Sequence, residues 1–337
     1  FVVCLYIMLI CDSWSSRFGQ KMSSHLTNIN LVNSQSLEVA CVGMVTPAEV
    51  YVVDHMPDWN TGTKWNYRED FISDDAAIVA CCITNWGLGS GLVCNKLGDD
   101  VAGNNVFHDL ESMGVVGRFI NDKNLRTPYE IVISDSRGGR TYFWDRREEL
   151  LKTLEEADTT IIKNAKCLYA DWYDYPYNLP ALKEAVNQNL PVLINIEDQY
   201  RNLDLIRELI ELATWFQCTP DQTSNSNKKY ETCEELLDLG VKGVLFTGSE
   251  DGCLWKSKTE SFSVSAPSID LMDANGAGAV LSAGFLYGYT QGFDMKTSCR
   301  FAVSAASKQC ELVSPIALPI QGLNKLAVEL EVSDFSL

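Results

Sequence analysis

The sequence has little positive charge and little histidine. Its 337 residues include 27 lysines and arginines against 45 aspartates and glutamates, a formal net charge of −18. Nucleic acids and anionic membrane surfaces select basic patches, so this balance argues against both as partners. Only three histidines are present, far apart at positions 25, 55 and 108, and they suggest no metal cluster.

The sequence also has no Cys-x-x-Cys pair and no apolar run long enough to cross a bilayer as a helix. Most of its twelve cysteines lie inside apolar segments, such as AAIVACCI, which favours free thiols in a reducing compartment over a disulfide scaffold. The first eleven residues, FVVCLYIMLIC, are apolar but too short for a spanning helix. With 46% hydrophobic and 21% charged residues, wholesale disorder is excluded.

The N-terminal segment stands apart from the rest. We interpret residues 1–35 as a disordered leader or non-native extension, and the Ser-rich stretch DSWSSRFGQKMSSHLTN is faintly like an organelle transit segment. The expected location is therefore the cytoplasm, with a plastid or another organelle as the alternative. Residues 36–330 are predicted to form a single domain, followed by a tail at 331–337.

Strand and helix patterns alternate from residue 37 onward. SLEVACVGM is typical of a buried parallel strand, and DDAAIVACCITNWG of a helix ending at Gly87. Repeated units of this kind predict an α/β fold with a mainly parallel sheet. Shorter alternating strands predict a small separate β lid, at about 50–72 and 116–145. The loop ADWYDYPYNLP is interpreted as packing aromatics, with a ligand wall as the alternative.

The stretch DANGAGAVLSAGF, residues 273–285, is the main candidate for chemistry. Leu271 and Met272 are predicted to end a strand, and a helix is predicted from about Ala277 to Tyr289. Glycines permit a tight turn, and the free N–H groups at the helix start form an anion-binding site. On its own, a Gly-Ala-Gly turn is equally consistent with a turn that only packs a helix against a strand.

This stretch resembles the second signature of the ribokinase or PfkB family of sugar and nucleoside kinases, Asp-Thr-x-Gly-Ala-Gly-Asp. VACVGMVTPAEVYVVDHMP, KLGDDVAGNNVFHDLESMGV and LFTGSEDGCLW resemble further family segments, and the likeness covers Leu37 to about Leu326. Details such as VLINIEDQYR are most similar to ketohexokinase-like members. The resemblance implies a ribokinase-like fold, with helices on both faces of the sheet and a small β lid. It also implies ATP with Mg²⁺ as cofactors and phosphoryl transfer to a sugar hydroxyl.

The resemblance also implies roles for individual residues. The nucleotide and phosphate positions are Thr247, Gly248, Gly252, Asn275, Gly276, Ala277 and Gly278. The last Asp of the signature is the family's general base, and Ala279 stands at that position. General-base catalysis contributes roughly 100- to 10,000-fold, so the catalytic set is not intact and transfer is expected to be impaired.

Other family positions differ as well. The sugar-binding Asp is replaced by Ala48, the Gly-Gly pair by Ser73 and Asp74, and the following Asn by Ile78. The magnesium motif Asn-x-x-Glu aligns with Thr219 and Gln222, and a Gly on the adenine side aligns with Val313.

Three functions remain open from the sequence. One is an impaired kinase that still binds nucleotide, and another is an active sugar or nucleoside kinase with a non-standard base, first among them Asp273 or Asp74. The third is a non-catalytic scaffold in a protein complex. The expected partners are a nucleotide, a sugar-like ligand, and a protein partner or a second copy bound through the lid.

Overall fold

The computed structural model describes residues 37–135, 137–220, 226–315 and 318–335. The predicted leader at 1–35, the magnesium position Gln222 and the last two residues of the tail lie outside the described residues.

The strands in chain order are β1 Val39–Val42, β2 Thr46–Val53, β3 Trp65–Ser73, β4 Ser90–Val93, β5 Leu97–Gly98, β6 Asn121–Asp122, β7 Glu130–Asp135, β8 Arg140–Trp144, β9 Cys167–Asp171, β10 Val192–Glu197, β11 Trp215–Cys218, β12 Gly243–Thr247, β13 Cys253–Ser257, β14 Ser261–Val264 and β15 Val332–Asp334. The helices are α1 Asp75–Asn85, α2 Val101–Met113, α3 Glu148–Leu151, α4 Leu179–Asn187, α5 Leu203–Leu209, α6 Ser226–Leu239, α7 Ala277–Thr290, α8 Met295–Gln309 and α9 Leu323–Glu329.

The main sheet has nine strands in the order β4-β1-β9-β10-β11-β12-β13-β14-β15. The strands from β4 to β12 run parallel, and the last three are added antiparallel. This arrangement confirms the predicted α/β fold. The carboxyl ends of β1, β9, β10, β11 and β12 therefore meet at one edge, where open α/β sheets bind ligands.

The two faces of this sheet explain the apolar strand sequences. Val39 and Cys41 of β1 contact the layer of α1, α2, α7, α8 and α9, whereas Ala40 and Val42 contact the layer of α4, α5 and α6. Strand residues alternate between faces, so a strand covered on both sides reads as a continuous apolar run.

The lid is a four-stranded sheet in the order β3-β2-β7-β8. Its own apolar cluster consists of Ala48, Val50, Val52, Phe71 and Val132. Strand β2 begins at Thr46, a few residues before the predicted lid boundary. Val116 instead bridges to Gly91 in the main sheet, and β6 pairs with β5, so the segment before Glu130 lies outside the lid sheet.

The prediction that Leu271 and Met272 end a strand is wrong. Strand β14 ends at Val264, and the backbone between it and α7 is irregular. The N–H of Met272 donates instead to the carbonyl of Cys310, 2.8 Å away. Leu271 and Met272 therefore lie against the end of α8 and do not pair with another strand.

Candidate active site

The Gly-Ala-Gly turn forms the start of α7. Gly276 adopts φ +73°, and a Cβ there would lie 2.9 Å from the Pro315 side chain, so both its conformation and its surroundings require glycine. Gly278 is open, because an added Cβ would meet only the Gln217 amide, at 3.8 Å. The N–H groups of a first helical turn have no partner within the helix, and the helix dipole favours negative charge beside them.

The turn is held from three sides. From α8, the Gln309 amide donates to the Asn275 carbonyl at 2.9 Å, and from β11, the Gln217 amide donates to the Gly278 carbonyl at 3.1 Å. From the lid, the Ser134 hydroxyl donates to Asp273 at 2.7 Å, and the Arg140 guanidinium donates to the Ala274 carbonyl. The lid and the main sheet thus both position the turn.

Ala279 is 1% exposed and lies one residue beyond the turn. One turn further along α7, the Ser282 hydroxyl donates to Gln217 at 2.7 Å and lies 3.1 Å from the Gly278 carbonyl. The side chain at position 279 itself can neither accept a proton nor orient a hydroxyl.

The nucleotide-side positions lie at the neighbouring strand ends. Thr247 ends β12 and donates to Thr219, which follows β11, at 3.4 Å. The N–H of Gly248 donates to the Gly252 carbonyl at 2.7 Å and closes the turn between β12 and β13. Gly252 has φ +85°, and a Cβ there would lie 2.0 Å from the Val264 carbonyl. Because Gln217 of β11 contacts Gly278, these positions share the carboxyl edge with the Gly-Ala-Gly turn.

The positions expected to bind sugar are apolar or ion-paired. Ala48 lies in the apolar cluster of the lid, together with Val313, which packs against that cluster. Ile78 is buried, and its terminal carbon would lie 3.4 Å from a Cβ at Gly276. The Ser73 hydroxyl donates to Glu130 at 3.0 Å, and Asp74 has φ +72°, which is unusual for a residue other than glycine.

Asp74 belongs to an ion-pair bridge that joins three segments. The Arg146 guanidinium follows β8 and donates to both Asp74 and Asp174, which lie at the start of α1 and after β9. Thr46 donates to Asp74 at 2.8 Å, and the N–H of Met44 donates to Asp174 at 2.7 Å. The bridge fixes the lid to the carboxyl edge of the main sheet.

Around this bridge the structure gathers carboxylates from four segments. We call this group the acidic cleft. Its members are Asp74, Asp75, Glu130, Asp171, Asp174 and Glu197. Sequence reasoning found only Asp74 among them. The sequence did carry one signal. The dipeptides DD (74–75), AD (170–171) and IE (196–197) each stand at a strand end or a helix start on the carboxyl edge of the sheet.

Burial raises the pKa of several carboxyls in the cleft. The pKa of Asp75 is raised to about 7, by burial first and then by repulsion from Glu197 and Asp74. Burial and the nearby Asp74 raise the pKa of Glu130 to about 7. Burial raises the pKa of Asp174 to about 6, although Arg146 opposes the shift, and the pKa of Asp171 lies well above its ordinary value.

Comparison with known proteins identifies the family. Residues 75–321 match the sequence profile of the pfkB family of carbohydrate kinases. The chain belongs to this family. It is 24% identical over 223 residues to an uncharacterized sugar kinase of Archaeoglobus fulgidus, covering 64% of this chain and 89% of the relative. It is also 25% identical over 281 residues to a nucleoside kinase of Methanothermobacter thermautotrophicus, covering 81% of this chain and 89% of the relative.

Solved ribokinases share the fold of this PfkB chain. Arabidopsis thaliana ribokinase complexed with ribose and ATP superposes with a TM-score of 0.68 at 18% identity, covering 87% of this chain and 99% of that one. A putative ribokinase II from E. coli in complex with ATP and Mg²⁺ gives 0.72 at 17% identity, with the same coverage. Within the described ranges, no helix is long and apolar enough to cross a membrane.

The raised pKa of Asp75 predicts a pH dependence of stability. Because the pKa of Asp75 is about 7 in the folded chain and 3.8 for an ordinary Asp, as in the unfolded chain, the folded chain binds more protons between these pH values. The contribution of Asp75 to the free energy of unfolding therefore falls as pH rises from about 4 to 7, and is level above. Between about pH 5 and pH 8, the wild-type chain should lose free energy of unfolding, and Asp75→Asn should reduce that loss by about 1–2 kcal/mol, as measured by urea denaturation.

Asp204→Asn is the matched control, because the Asp204 side chain is 96% exposed on α5. It should leave the slope of stability against pH unchanged. If Asp75→Asn has the same slope as wild type, the carboxyl at position 75 is not protonated in the folded protein.

Proposed function

We propose that this PfkB homologue binds ATP with Mg²⁺ at the turn of Asn275, Gly276, Ala277 and Gly278, and transfers the phosphoryl group to a sugar-like hydroxyl only slowly. The observation that carries the proposal is Ala279, a buried side chain without a proton acceptor, directly after a turn whose backbone geometry is complete. Phosphate recognition here depends on backbone N–H groups and is indifferent to the side chain at 279. Proton removal depends on that side chain alone.

The sugar side supports the same conclusion. Ala48 and Ile78 present carbon where family members hydrogen-bond a hydroxyl, and both are buried. A hydroxyl desolvated against carbon loses hydrogen bonds to water that nothing replaces. Under this proposal, slow transfer has two causes: the missing base and the weaker binding of a neutral sugar.

The residues present fit nucleotide better than they fit a protein-held metal. The phosphates would be held by the N–H groups of the turn, with the β12–β13 turn at Thr247, Gly248 and Gly252 beside it. Thr219 offers a hydroxyl in place of the family's amide, and in the described ranges no three His, Cys, Asp or Glu side chains are arranged to hold a metal. Magnesium would therefore arrive on the phosphates with water ligands, where it neutralises their charge.

Restoring the base tests the proposal. Ala279→Asp should raise phosphoryl transfer from ATP to D-fructose, D-ribose or a nucleoside by roughly 100-fold or more, because a general base contributes that much. Ala279→Asn is the control, because asparagine has nearly the same size as aspartate but cannot accept the proton. Calorimetric titration of Mg·ATP into each variant should show binding throughout.

Two results would contradict the proposal. Equal rates for Ala279→Asp and Ala279→Asn would show that the base is not what limits transfer. Absence of binding and of thermal stabilisation at millimolar Mg·ATP would leave the scaffold function instead.

A second candidate, an active kinase with a different base, is supported by Asp75. Asp74 is neutralised by Arg146, and one oxygen of Asp273 accepts hydrogen bonds from Ser134 and from the N–H of Asn275, at 2.7 and 2.9 Å. Among the described residues, the Asp75 side chain accepts only from the Asn195 amide, at 3.1 Å, and from the Tyr169 hydroxyl in a long contact of 3.5 Å. A carboxyl with a pKa of about 7 suits proton transfer near neutral pH.

If Asp75 is the base, wild-type transfer should fall below about pH 7, and Asp75→Asn should lower the rate roughly 100-fold and abolish that limb of the pH–rate profile. Asp204→Asn should behave as wild type. An Asp75→Asn variant that retains wild-type transfer and its pH profile excludes Asp75 as the base.

The lid supports a second copy of the chain as partner. Residues 65–70 of β3 are exposed on both faces, and Tyr67 and Phe143, on the two edge strands, are 52% and 61% exposed. Exposed aromatic side chains on a sheet favour association with a partner surface. We expect a dimer in sedimentation velocity, reduced to a monomer by Tyr67→Glu with Phe143→Glu. Val328→Glu, at a 76% exposed site on α9, should stay dimeric, and a monomeric wild type would refute the expectation.

A further inference from the structure

The segment before the Gly-Ala-Gly turn is held by its neighbours rather than by a helix or a strand of its own. Residues 271–275 are irregular, between the end of β14 and the start of α7. On one side, the Cys310 carbonyl at the end of α8 accepts from the N–H groups of Met272 and Asp273, at 2.8 and 3.2 Å. The position of the turn therefore depends on the contacts that other elements make with this segment.

The lid makes the contacts on the other side. Ser134 of β7 and Arg140 of β8 are directly opposite in the pairing of these strands, and Tyr142 lies two residues further along β8 on the same face. The three side chains contact three consecutive residues, and we call this set of contacts the lid clamp. Its hydrogen bonds are Ser134 hydroxyl to Asp273 at 2.7 Å, Arg140 guanidinium to the Ala274 carbonyl, and Tyr142 hydroxyl to the Asn275 side-chain oxygen at 3.3 Å.

The contact between Ser134 and Asp273 is the most deeply buried part of the clamp, because both residues are 0% exposed. The Asp273 oxygen that accepts from Ser134 also accepts from the N–H of Asn275, at 2.9 Å. One atom thus joins a lid side chain to the backbone of the turn. The other oxygen of Asp273 is buried and has no partner among the described residues. The grip of the lid on Asp273 therefore depends on the Ser134 hydroxyl.

The clamp is distinct from the ion-pair bridge of Arg146. That bridge acts where the chain passes between the lid and the main sheet, at Asp74 and after β9 at Asp174. The clamp acts at the β7–β8 hairpin, whose Gly138 lies close enough to Leu271 that an added Cβ would be 3.4 Å from its side chain. A movement of this hairpin away from the main sheet would break the clamp and release the segment before the turn.

We propose that Ser134 is a positioning residue, and that the lid clamp couples the position of the lid to phosphate binding at the Gly-Ala-Gly turn. The inference rests on the proposed function, because it assigns a regulation to the same site. A lid held against the turn strengthens the binding of the nucleotide phosphates. By linkage, a bound nucleotide holds the lid with the same coupling free energy.

The first test of the clamp uses hydrogen exchange on the full chain without any ligand. Ser134→Ala and Tyr142→Phe each remove one hydroxyl of the clamp. Each should speed amide exchange across residues 273–280 by roughly three- to tenfold, as expected when local opening is no longer opposed by one hydrogen bond. Should Ser134→Ala fail to fold, Tyr142→Phe provides the same comparison.

Tyr129→Phe is the matched control for Tyr142→Phe. It removes the same hydroxyl from the lid, but Tyr129 donates to Glu49 at 2.6 Å and makes no contact of the clamp. Exchange across residues 273–280 should stay as in wild type. An equal acceleration in Tyr129→Phe would show that the turn responds to any loosening of the lid, and would overturn the clamp.

The second test measures the coupling itself. In wild type, Mg·ATP should slow exchange in β7 and β8 as well as at the turn. In Ser134→Ala, calorimetry should give a Kd for Mg·ATP about tenfold weaker, a difference of about 1.4 kcal/mol. The nucleotide should then protect the turn but no longer β7 and β8. A residue that only stabilised the fold would not change which segments the nucleotide protects.

Three results would overturn the proposal. They are unchanged ligand-free exchange in both clamp variants, protection by Mg·ATP that does not reach β7 and β8 in wild type, and equal protection of these strands in wild type and Ser134→Ala. If the wild-type chain binds no Mg·ATP, the proposed function fails, and the ligand-free exchange alone decides whether the lid positions the turn. Failure of nucleotide binding and failure of the clamp are thus distinguishable.

Discussion

The pairing of Arg146 with Asp74 and Asp174 is the interaction on which the geometry of the site depends. It ties the lid, the start of α1 and the carboxyl end of β9 at one buried point. Removing one member of a buried ion pair leaves an uncompensated charge, at a cost of about 3–5 kcal/mol. Asp74 also holds φ +72°, a conformation that costs about 1–3 kcal/mol when it is not glycine. The bridge offsets that cost and so keeps a carboxylate at a position where the backbone conformation favours glycine.

The two halves of the proposed site depend on different parts of the chain. The proposed phosphate half depends on backbone N–H groups, and Gly276 with its αL conformation is enough to present them. The proposed sugar half depends on side chains, and an apolar side chain such as Ile78 offers a hydroxyl no hydrogen bond. Under the proposed function, one half can therefore weaken while the other keeps its geometry.

Much of the fold could be predicted from the sequence, because buried parallel strands and small-residue helices have strong local patterns. The start of α7, with a buried alanine directly after its turn, also follows from local sequence. The acidic cleft could not be predicted, because Asp75, Glu130, Asp171 and Glu197 come from separate segments and meet only through strand order. Asp171 lies in the aromatic stretch ADWYDYPYNLP, whose aromatic residues dominate its local pattern. Val313 packs against the lid cluster through tertiary contacts that no local sequence pattern indicates.

The basicity of each carboxyl at the site is decided by its burial and its partners. Asp74 and Asp174 are paired with a guanidinium, whereas Asp273 accepts two hydrogen bonds on one oxygen and has a second oxygen that is buried without a partner among the described residues. Burial raises the pKa of Asp75 to about 7, and no lysine or arginine of the described residues forms an ion pair with it. A carboxyl with this pKa is ionised in a substantial fraction of molecules at neutral pH, so it can still accept a proton, and it binds that proton more tightly than an ordinary Asp does. Burial without a cation partner is thus the physical reason why Asp75, and not the ion-paired Asp74, has the proton affinity that a base working near neutral pH needs.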